Sequence, residues 1–225
     1  MLPGRAREFF ALVGAVLTPE RSDGGFSQSH AMHSLIYFTS IPSPLDEITL
    51  AATSAGLCGL YFREHRYRPA DFPTWQRDDG ARFAPARAWL RHYFAGTPLP
   101  DLPALAFPGG TEFQQRVWRA LQSIPAGETR TYSELAAAVG AARAVRAVGA
   151  AIGRNPISIF VPCHRVVGRD GSLTGFAGGI ERKRWLLTQE GAVRQGSAAR
   201  PVRELAGDRS PATRSYSVRK TSASG

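Results

Sequence analysis

Cys163 is the residue whose type and position best suit covalent chemistry. It follows the apolar run of residues 157–161, which predicts a buried strand, and Pro162 fixes the backbone just before it. A thiol attacks as its thiolate, and the neighbouring His164 and Arg165 are residue types that favour the anion. A lone cysteine at a strand end is usually a small buried apolar group, so Cys163 alone is weak evidence for a nucleophile.

The other cysteine and the remaining histidines give no sign of a metal site. Cys58 is far from Cys163 in sequence, and their spacing fits neither a disulfide framework nor a zinc motif. We expect Cys58 to be a core residue of its strand. We expect the other histidines to be surface or spacer residues, namely His30, His33, His65 and His92. The two separate thiols indicate a reducing compartment.

Composition predicts a folded globular chain of one or two domains. Its 225 residues are 43% hydrophobic and 20% charged, which argues against a wholly disordered protein. The net charge of +10 favours a polyanionic partner, either nucleic acid or an anionic membrane surface. Half of the positive net charge lies beyond residue 193. A disordered basic tail would explain that half without any polyanionic partner.

Membrane insertion is not expected. No apolar run reaches the roughly 18 residues that a spanning helix needs. Residues 9–17 follow two arginines and imitate the start of a secretory signal, but no small-residue cleavage site follows them. We interpret residues 1–33 as a disordered N-terminal extension, with Met32 as an alternative start, and we expect a cytoplasmic protein.

The first half of the chain predicts a small α+β domain over residues 34–105. Residues 34–39, 47–52 and 57–62 have strand composition and are separated by turn residues, which favours an antiparallel meander. A helical pattern follows over residues 84–94 and stops at a glycine. Prolines and glycines then make residues 96–110 a linker, with a domain boundary near residue 106.

The second half, residues 106–193, predicts three successive helices before the 194–225 tail. The first covers residues 111–123, with Thr111 as its N-cap. The others cover residues 134–139 and 143–153 and are joined by a tight turn, which is the outline of a helix-turn-helix. Small residues and arginines on the last helix suit a close approach to phosphates. An ordinary helical hairpin with solvated arginines has the same outline, so this pattern by itself leaves both interpretations open.

Several motifs together resemble one family. Asn155-Pro156, followed six residues later by Pro162-Cys163-His164-Arg165-Val166, resembles the signature of the O6-alkylguanine-DNA alkyltransferases, or methylated-DNA–protein-cysteine methyltransferases. Further similar stretches occur in the family's order at residues 110–118, 127–132, 146–149 and 182–187. Residues 43–45 and 93–96 are similar to its N-terminal domain. The resemblance implies an α+β fold, with a small antiparallel sheet and helix domain followed by a mainly helical, winged-helix-like domain carrying the helix-turn-helix.

The resemblance implies direct-reversal DNA repair, in which Cys163 takes a methyl or other alkyl group from O6-alkylguanine once, after nucleotide flipping. O4-alkylthymine is a further candidate substrate. His164 occupies the family's base position, and Glu190 occupies the position of the carboxylate that holds it. Tyr132 falls on the tyrosine that displaces the 3′ phosphate and meets the flipped guanine. Arg146 falls on the arginine that fills the vacated space in the duplex.

Other positions carry supporting roles by the same resemblance. Asn155 pins the turn before the cysteine, and the backbone carbonyls of Cys163 and Val166 accept hydrogen bonds from the guanine amino group. Phe176 forms an apolar wall of the alkyl pocket, and the Ala177 N–H can bind guanine O6. The family more often has tyrosine in place of Phe176, and some members have serine in place of Ala177. We therefore expect a modest loss of rate or an altered size preference.

The implied partner is double-stranded DNA carrying O6-alkylguanine, approached from the minor groove. We expect no cofactor, no metal and no obligate protein partner, and a cytoplasmic monomer that is nucleoid-associated in a bacterium. Three alternatives remain: an alkylated-base-binding protein that recruits repair without transfer, a DNA-binding regulator, and a cysteine hydrolase. Cys163 counts against the first, the lack of a sensor domain against the second, and stoichiometric action against the third.

Overall fold

The computed structural model describes residues 35–193. The predicted extension over residues 1–33 and the predicted tail over residues 194–225 therefore lie outside the described residues. His30, His33 and the alternative start at Met32 lie outside them as well.

The N-terminal sheet has four strands in the order β3-β2-β1-β4. Strands β1 (Tyr37–Ile41), β2 (Ile48–Thr53) and β3 (Gly56–Phe62) form an antiparallel meander. Strand β4 (Gln76–Arg77) adds to the free edge of β1 in parallel. The three predicted strands are therefore confirmed to within a few residues, and the short fourth strand was not predicted.

Helix α1 (Ala84–Ala95) covers this sheet with its apolar face. It buries Ala86, Trp89, Leu90 and Tyr93 in the main hydrophobic core. Gly96 ends the helix in a left-handed conformation at φ 65°, and its N–H donates to carbonyls of the last turn. This end agrees with the stop predicted from the glycine.

Residues 96–110 contain no helix or regular strand, as the prolines predict, but they are fixed to the sheet. The Leu57 N–H donates to the Ala104 carbonyl at 2.8 Å, and the Ala106 N–H donates to the Leu57 carbonyl at 2.8 Å. One continuous hydrophobic core contains residues from both sides of this linker. The division near residue 106 stays a prediction, and the two halves of the chain share their core.

Three helices follow the linker. Helix α2 (Glu112–Leu121) starts at Thr111 in a capping box with Gln114, so the predicted N-cap is confirmed. Helix α3 (Tyr132–Ala138) starts at Thr131 in a second capping box, and α4 (Val145–Gly153) follows after a turn. The α3–turn–α4 unit is the predicted helix-turn-helix.

Short strands and one more helix complete the C-terminal half. Strands β5 (Arg130–Thr131) and β6 (Val166–Val167) pair in parallel. Helix α5 (Ile180–Gln189) packs beside the turn that precedes β6. The fold is α+β, with a small N-terminal sheet and a mainly helical C-terminal half.

The predicted buried strand over residues 157–161 is wrong. Ile157 makes one isolated bridge to Leu60, and the chain then turns, with Ile159 at φ 70°. Residues 157–161 are all at most 4% exposed. Burial on every side accounts for the apolar run, because a short apolar run signals burial without specifying a β ladder.

Candidate active site

Cys163 is the first residue of a 3-10 turn, Cys163–Arg165, and is 5% exposed. Its sulfur accepts a hydrogen bond from Asn155 Nδ2 at 3.1 Å. The same Nδ2 donates to the Val161 carbonyl at 2.8 Å, and Asn155 Oδ1 accepts from the Ile157 N–H at 3.1 Å. Asn155 thus fixes the irregular segment before Cys163 and also contacts the sulfur, which the sequence did not predict.

Lys183 is the cation that acts on this thiol. It is fully buried on α5, and its Nζ donates to the carbonyls of Val166 at 2.6 Å and Thr174 at 2.8 Å. Burial lowers the pKa of Lys183 to about 8, and the nearby Cys163 opposes that change. Burial raises the pKa of Cys163, whereas the Asn155 hydrogen bond and the Lys183 charge lower it. The groups around the sulfur therefore favour its anion against burial.

Sequence reasoning missed Lys183 as a site residue, although a local signal exists. Lys183 precedes Leu186 and Leu187 by three and four positions, so the three side chains share one face of α5. All three are buried. A lysine on the apolar face of a helix is a candidate for a buried role.

His164, the residue after Cys163 in the 3-10 turn, lies against Glu190. Their Nε2 and Oε1 atoms are 2.9 Å apart, and the side chains are 0% and 2% exposed. With Nε2 donating to the carboxylate, Nδ1 is the basic nitrogen, and within residues 35–193 it has no hydrogen-bond partner. Burial lowers the pKa of His164 although Glu190 acts to raise it, so the ring is neutral at neutral pH.

Glu190 is the centre of a buried cluster, the carboxylate cluster of Tyr93, His164, Arg165 and Glu190. Arg165 donates through Nε and Nη2 at 2.9 and 2.8 Å, and the Tyr93 hydroxyl donates at 2.7 Å. Burial alone would raise the pKa of Glu190, but His164 and then Arg165 outweigh it and hold the pKa well below its usual range. The carboxylate is therefore ionised.

The predicted role of Arg165 in favouring the thiolate needs correction. Its guanidinium faces Glu190 and the Ile124 carbonyl, and the two opposite charges of Arg165 and Glu190 offset one another. Neighbours in sequence within a 3-10 turn point in different directions. The positive charge near the sulfur comes from Lys183 instead.

Tyr132 and Arg146 occupy different surroundings. Tyr132 begins α3, and its hydroxyl donates to the Thr174 carbonyl at 2.9 Å, beside the Lys183 ammonium. Its ring lies next to Gly149 of α4. Arg146 is exposed on α4, next to exposed Ala147. The structure brings Tyr132 to the cysteine site and leaves Arg146 on the outer surface.

Residues 174–179 form an irregular segment, the 174–179 loop, that carries Phe176 and Ala177. The Phe176 ring packs edge-on against the His164 ring with centroids 6.5 Å apart. The Ala177 carbonyl accepts from the Arg66 N–H at 3.0 Å, which ties the loop to the N-terminal half. The Val166 carbonyl accepts from Lys183 and retains a second lone pair for another donor.

Two of the histidines predicted to be surface or spacer residues, His65 and His92, lie within the described residues. His65 is 7% exposed and stacks on Phe62 with centroids 6.2 Å apart, so the prediction that it is a surface or spacer residue is wrong. It lies three residues after the end of β3, where its ring packs against Tyr61 and Phe62. Burial, with the charges of Arg68 and Arg182, lowers its pKa to about 4. His92 is half-buried and contacts Thr97.

Within residues 35–193, no three of the His, Cys, Asp and Glu side chains are grouped so that they would bind a metal ion. None of the helices in this range combines the length and apolar character that crossing a bilayer requires. Cys58 is buried in β3, as predicted.

Two family models match the chain. Residues 112–192 match the DNA-binding domain of 6-O-methylguanine DNA methyltransferase, and residues 36–100 match the ribonuclease-like domain of the same family.

Relatives of known name and structure agree with these matches. A methylated-DNA–protein-cysteine methyltransferase of Mycobacterium tuberculosis is 49% identical over 156 residues, covering 69% of this chain and 93% of that protein. The protein of the same name from Methanosarcina barkeri is 44% identical over 155 residues, covering 69% and 97%. The crystal structure of Mycobacterium tuberculosis OGT in complex with DNA has a TM-score of 0.63 and 48% identity, covering 69% of this chain and 92% of that one.

Proposed function

The chain belongs to the 6-O-methylguanine DNA methyltransferase family, and we propose that it repairs DNA by transferring an alkyl group from O6 of guanine to Cys163. One observation carries the assignment of the acceptor. The Cys163 sulfur accepts a hydrogen bond from the Asn155 amide, and the turn that carries Cys163 also places His164 against Glu190. Burial by itself would only make this thiol inert, and these polar groups give it a route to the thiolate.

The transfer begins with loss of the thiol proton. His164 Nδ1 takes that proton through a water molecule, and the Lys183 charge and the Asn155 N–H stabilise the sulfur anion. The sulfur then attacks the alkyl carbon in line, the carbon–O6 bond breaks, and its electron pair leaves with guanine. The proton taken from the thiol returns to the guanine, so the products are a thioether and an unmodified base.

Glu190 orients His164 and stabilises the imidazolium that forms after proton transfer. Arg165 and Tyr93 hold the carboxylate from its other sides. Because Glu190 is ionised before the reaction, its charge is in place when His164 becomes positive. The carboxylate cluster thereby supports the base and does not touch the alkyl group.

Delivery of the base uses the helix-turn-helix. The small exposed residues of α4 permit a close approach to the minor groove, and Arg146 enters the space that the flipped nucleotide leaves. The Tyr132 hydroxyl then stops donating its hydrogen bond to the Thr174 carbonyl and donates it to the flipped guanine instead. Phe176 lines the alkyl group, while the Ala177 N–H and the Val166 carbonyl bind the base edge.

The thioether has no route back to the thiol on this mechanism, so each molecule acts once. The chain works as a monomer on double-stranded DNA in the cytoplasm, at the nucleoid in a bacterium, with O4-alkylthymine as a second substrate. The rival function, binding an alkylated base without transfer, is not favoured, because relatives of 44–49% identity are named methyltransferases.

The test is the intact mass of the protein after mixing with duplex DNA that contains O6-methylguanine. We expect a gain of about 14 Da, one methyl group, on at most one site per molecule, with peptide mapping to Cys163. The Cys163→Ala variant should gain no mass. The proposal fails if the wild type gains no mass, or if the gain persists in Cys163→Ala.

A further inference from the structure

The 174–179 loop lies between the acceptor cysteine and the N-terminal sheet. On the cysteine side, the Thr174 carbonyl accepts from Tyr132 and Lys183, and the Phe176 ring packs against His164. These contacts place Phe176 at the site without fixing how far its ring can move away from it. That limit comes from the other side of the loop.

Phe62, the last residue of β3, packs against Phe176. Their ring centroids are 6.0 Å apart and the rings are inclined at 60°. Gly178 fills the corner between them so tightly that a Cβ added there would collide with both rings. The Phe176 ring therefore packs against Phe62 of the sheet as well as against His164 of the site.

The Phe62 side chain is itself closely packed. It is 0% exposed, pairs with Ile48 in the sheet and stacks on His65. The Arg182 guanidinium lies 5.3 Å from its ring centroid and is held by Asp46 at 2.9 Å. Close-packed side chains with these contacts move little, so Phe62 limits how far the Phe176 ring can move toward the sheet.

We propose that Phe62 determines the size of the alkyl group that Cys163 accepts, by fixing the position of the Phe176 ring from the N-terminal sheet. This inference rests on the proposed function, in which Phe176 lines the alkyl group. A methyl group needs no movement of Phe176, whereas a benzyl group needs the ring to retreat toward Phe62. Phe62 contacts neither Cys163 nor the DNA in this scheme, so it sets specificity through Phe176 alone.

The experiment measures single-turnover transfer from two duplexes that differ only in carrying O6-methylguanine or O6-benzylguanine. In Phe62→Leu, the lost ring leaves space into which Phe176 can retreat, so the ratio of benzyl to methyl rate constants should rise about tenfold over wild type. Phe62→Met leaves about the same side-chain volume as leucine, but its longer, unbranched chain can fill part of the space beside Phe176, so its ratio should rise by a smaller factor. Titration with methylated DNA counts the active molecules, so partial unfolding does not distort either rate constant.

Phe83→Leu is the matched control, because Phe83 is another fully buried phenylalanine of the N-terminal half, in the turn before α1. Its ratio should equal that of the wild type. An unchanged ratio in both Phe62 variants, or an equal rise in Phe83→Leu, overturns the inference. Failure of the proposed function is a separate result, since the wild type would then transfer neither group to Cys163.

Discussion

Cys58 and Cys163 are both buried thiols, 6% and 5% exposed, but the groups around them differ in kind. Cys58 packs with Ala51, Tyr61 and Trp75 on the sheet, and burial raises its pKa to about 11. Burial raises the pKa of Cys163 too, yet an amide donor and a buried ammonium act against that rise. Burial therefore does not separate an inert thiol from a reactive one, and the polar neighbours do.

The surroundings of each thiol in the fold explain why only Cys163 has such neighbours. Cys58 lies in β3 at the bulge opposite Ala51 and Ala52, and apolar side chains of the sheet cover it. Before Cys163 the chain turns repeatedly, and Asn155 reaches across the turn to the sulfur. The irregular backbone at this point brings the Asn155 amide within hydrogen-bond distance of the sulfur. The contrast predicts that substitutions around the two cysteines have very different effects.

The largest difference is expected between Cys163→Ser and Cys58→Ser. A serine hydroxyl at position 163 has no accessible anion near neutral pH, so no alkyl transfer should be detected. Serine at position 58 should leave the transfer rate within about twofold of wild type, since Cys58 packs in a hydrophobic cluster separate from the one that contains Cys163. Single-turnover assays on methylated duplex DNA measure both. Loss of transfer in Cys58→Ser would remove the distinction between the two thiols.

Glu190→Gln should have the next largest effect. It leaves the buried Arg165 guanidinium without its counter-charge, which costs about 3–5 kcal/mol of stability. It also removes the charge that stabilises the His164 imidazolium, so the transfer rate should fall by about 10²–10⁴-fold. Urea unfolding and single-turnover rates measure the two effects.

Glu181→Gln is the control for this substitution, because Glu181 lies in α5, the helix that ends just before Glu190, and has an 89% exposed side chain. Neither stability nor rate should change appreciably there. An equal rate in Glu190→Gln and wild type would show that the carboxylate cluster is only a structural support.

Much of the fold could be predicted because its signals are local. The three strands follow from composition and turn residues, and the bounds of α1 and α2 follow from Gly96 and the Thr111 cap. Strand β4 has two residues and forms only by pairing with β1, so no pattern within it predicts a strand. The turn at residues 157–161 was mistaken for a strand because burial on every side imposes the same apolar composition.

The candidate site was predictable only as far as its motif extends. The resemblance names His164 and Glu190 together, and the structure places them 2.9 Å apart, while their catalytic roles stay predictions. Tyr93 reaches Glu190 from a helix 97 residues earlier in the sequence, through packing that no local pattern encodes. The local pattern at Lys183 predicts its burial but not the carbonyls that it contacts. Arg165 shows the opposite error, since a neighbour in sequence was assigned to the thiol and faces the carboxylate instead.

Lys183→Met tests the cation that distinguishes the surroundings of Cys163 from those of Cys58. The substitution keeps an unbranched side chain and removes the charge that favours the thiolate. Loss of a neighbouring charge commonly changes a pKa by about one unit or more, so the transfer rate should fall about tenfold. Single-turnover rates at pH 7.5 measure this. An unchanged rate would mean that Asn155 alone supports the anion.

The same variant gives a pH dependence of stability with a defined sign. The pKa of Lys183 is about 8 in the folded protein and 10.5 as an ordinary lysine, so the unfolded chain binds more protons between these values. Stability from this group therefore increases as pH rises from 8 to 10, by up to about 1.4 kcal/mol per pH unit. Wild type should gain stability over Lys183→Met across that range in urea unfolding. A constant difference would show that the ammonium is not perturbed by burial.

Tyr93→Phe should have the smallest effect, and it tests whether the N-terminal half acts on the acceptor site through Glu190. The lost hydroxyl removes one donor to a buried carboxylate, which costs about 2 kcal/mol of stability. His164 and Arg165 still hold Glu190, so the transfer rate should fall less than about tenfold.

With one donor to Glu190 fewer in Tyr93→Phe, more of the Glu190 charge acts on His164 and raises the pKa of His164. The acid limb of the pH–rate profile should therefore move to higher pH, while Tyr61→Phe, at a buried tyrosine of the sheet, should leave the profile unchanged. If Tyr93→Phe lowers stability but leaves the profile in place, Tyr93 joins the two halves of the chain without positioning the base.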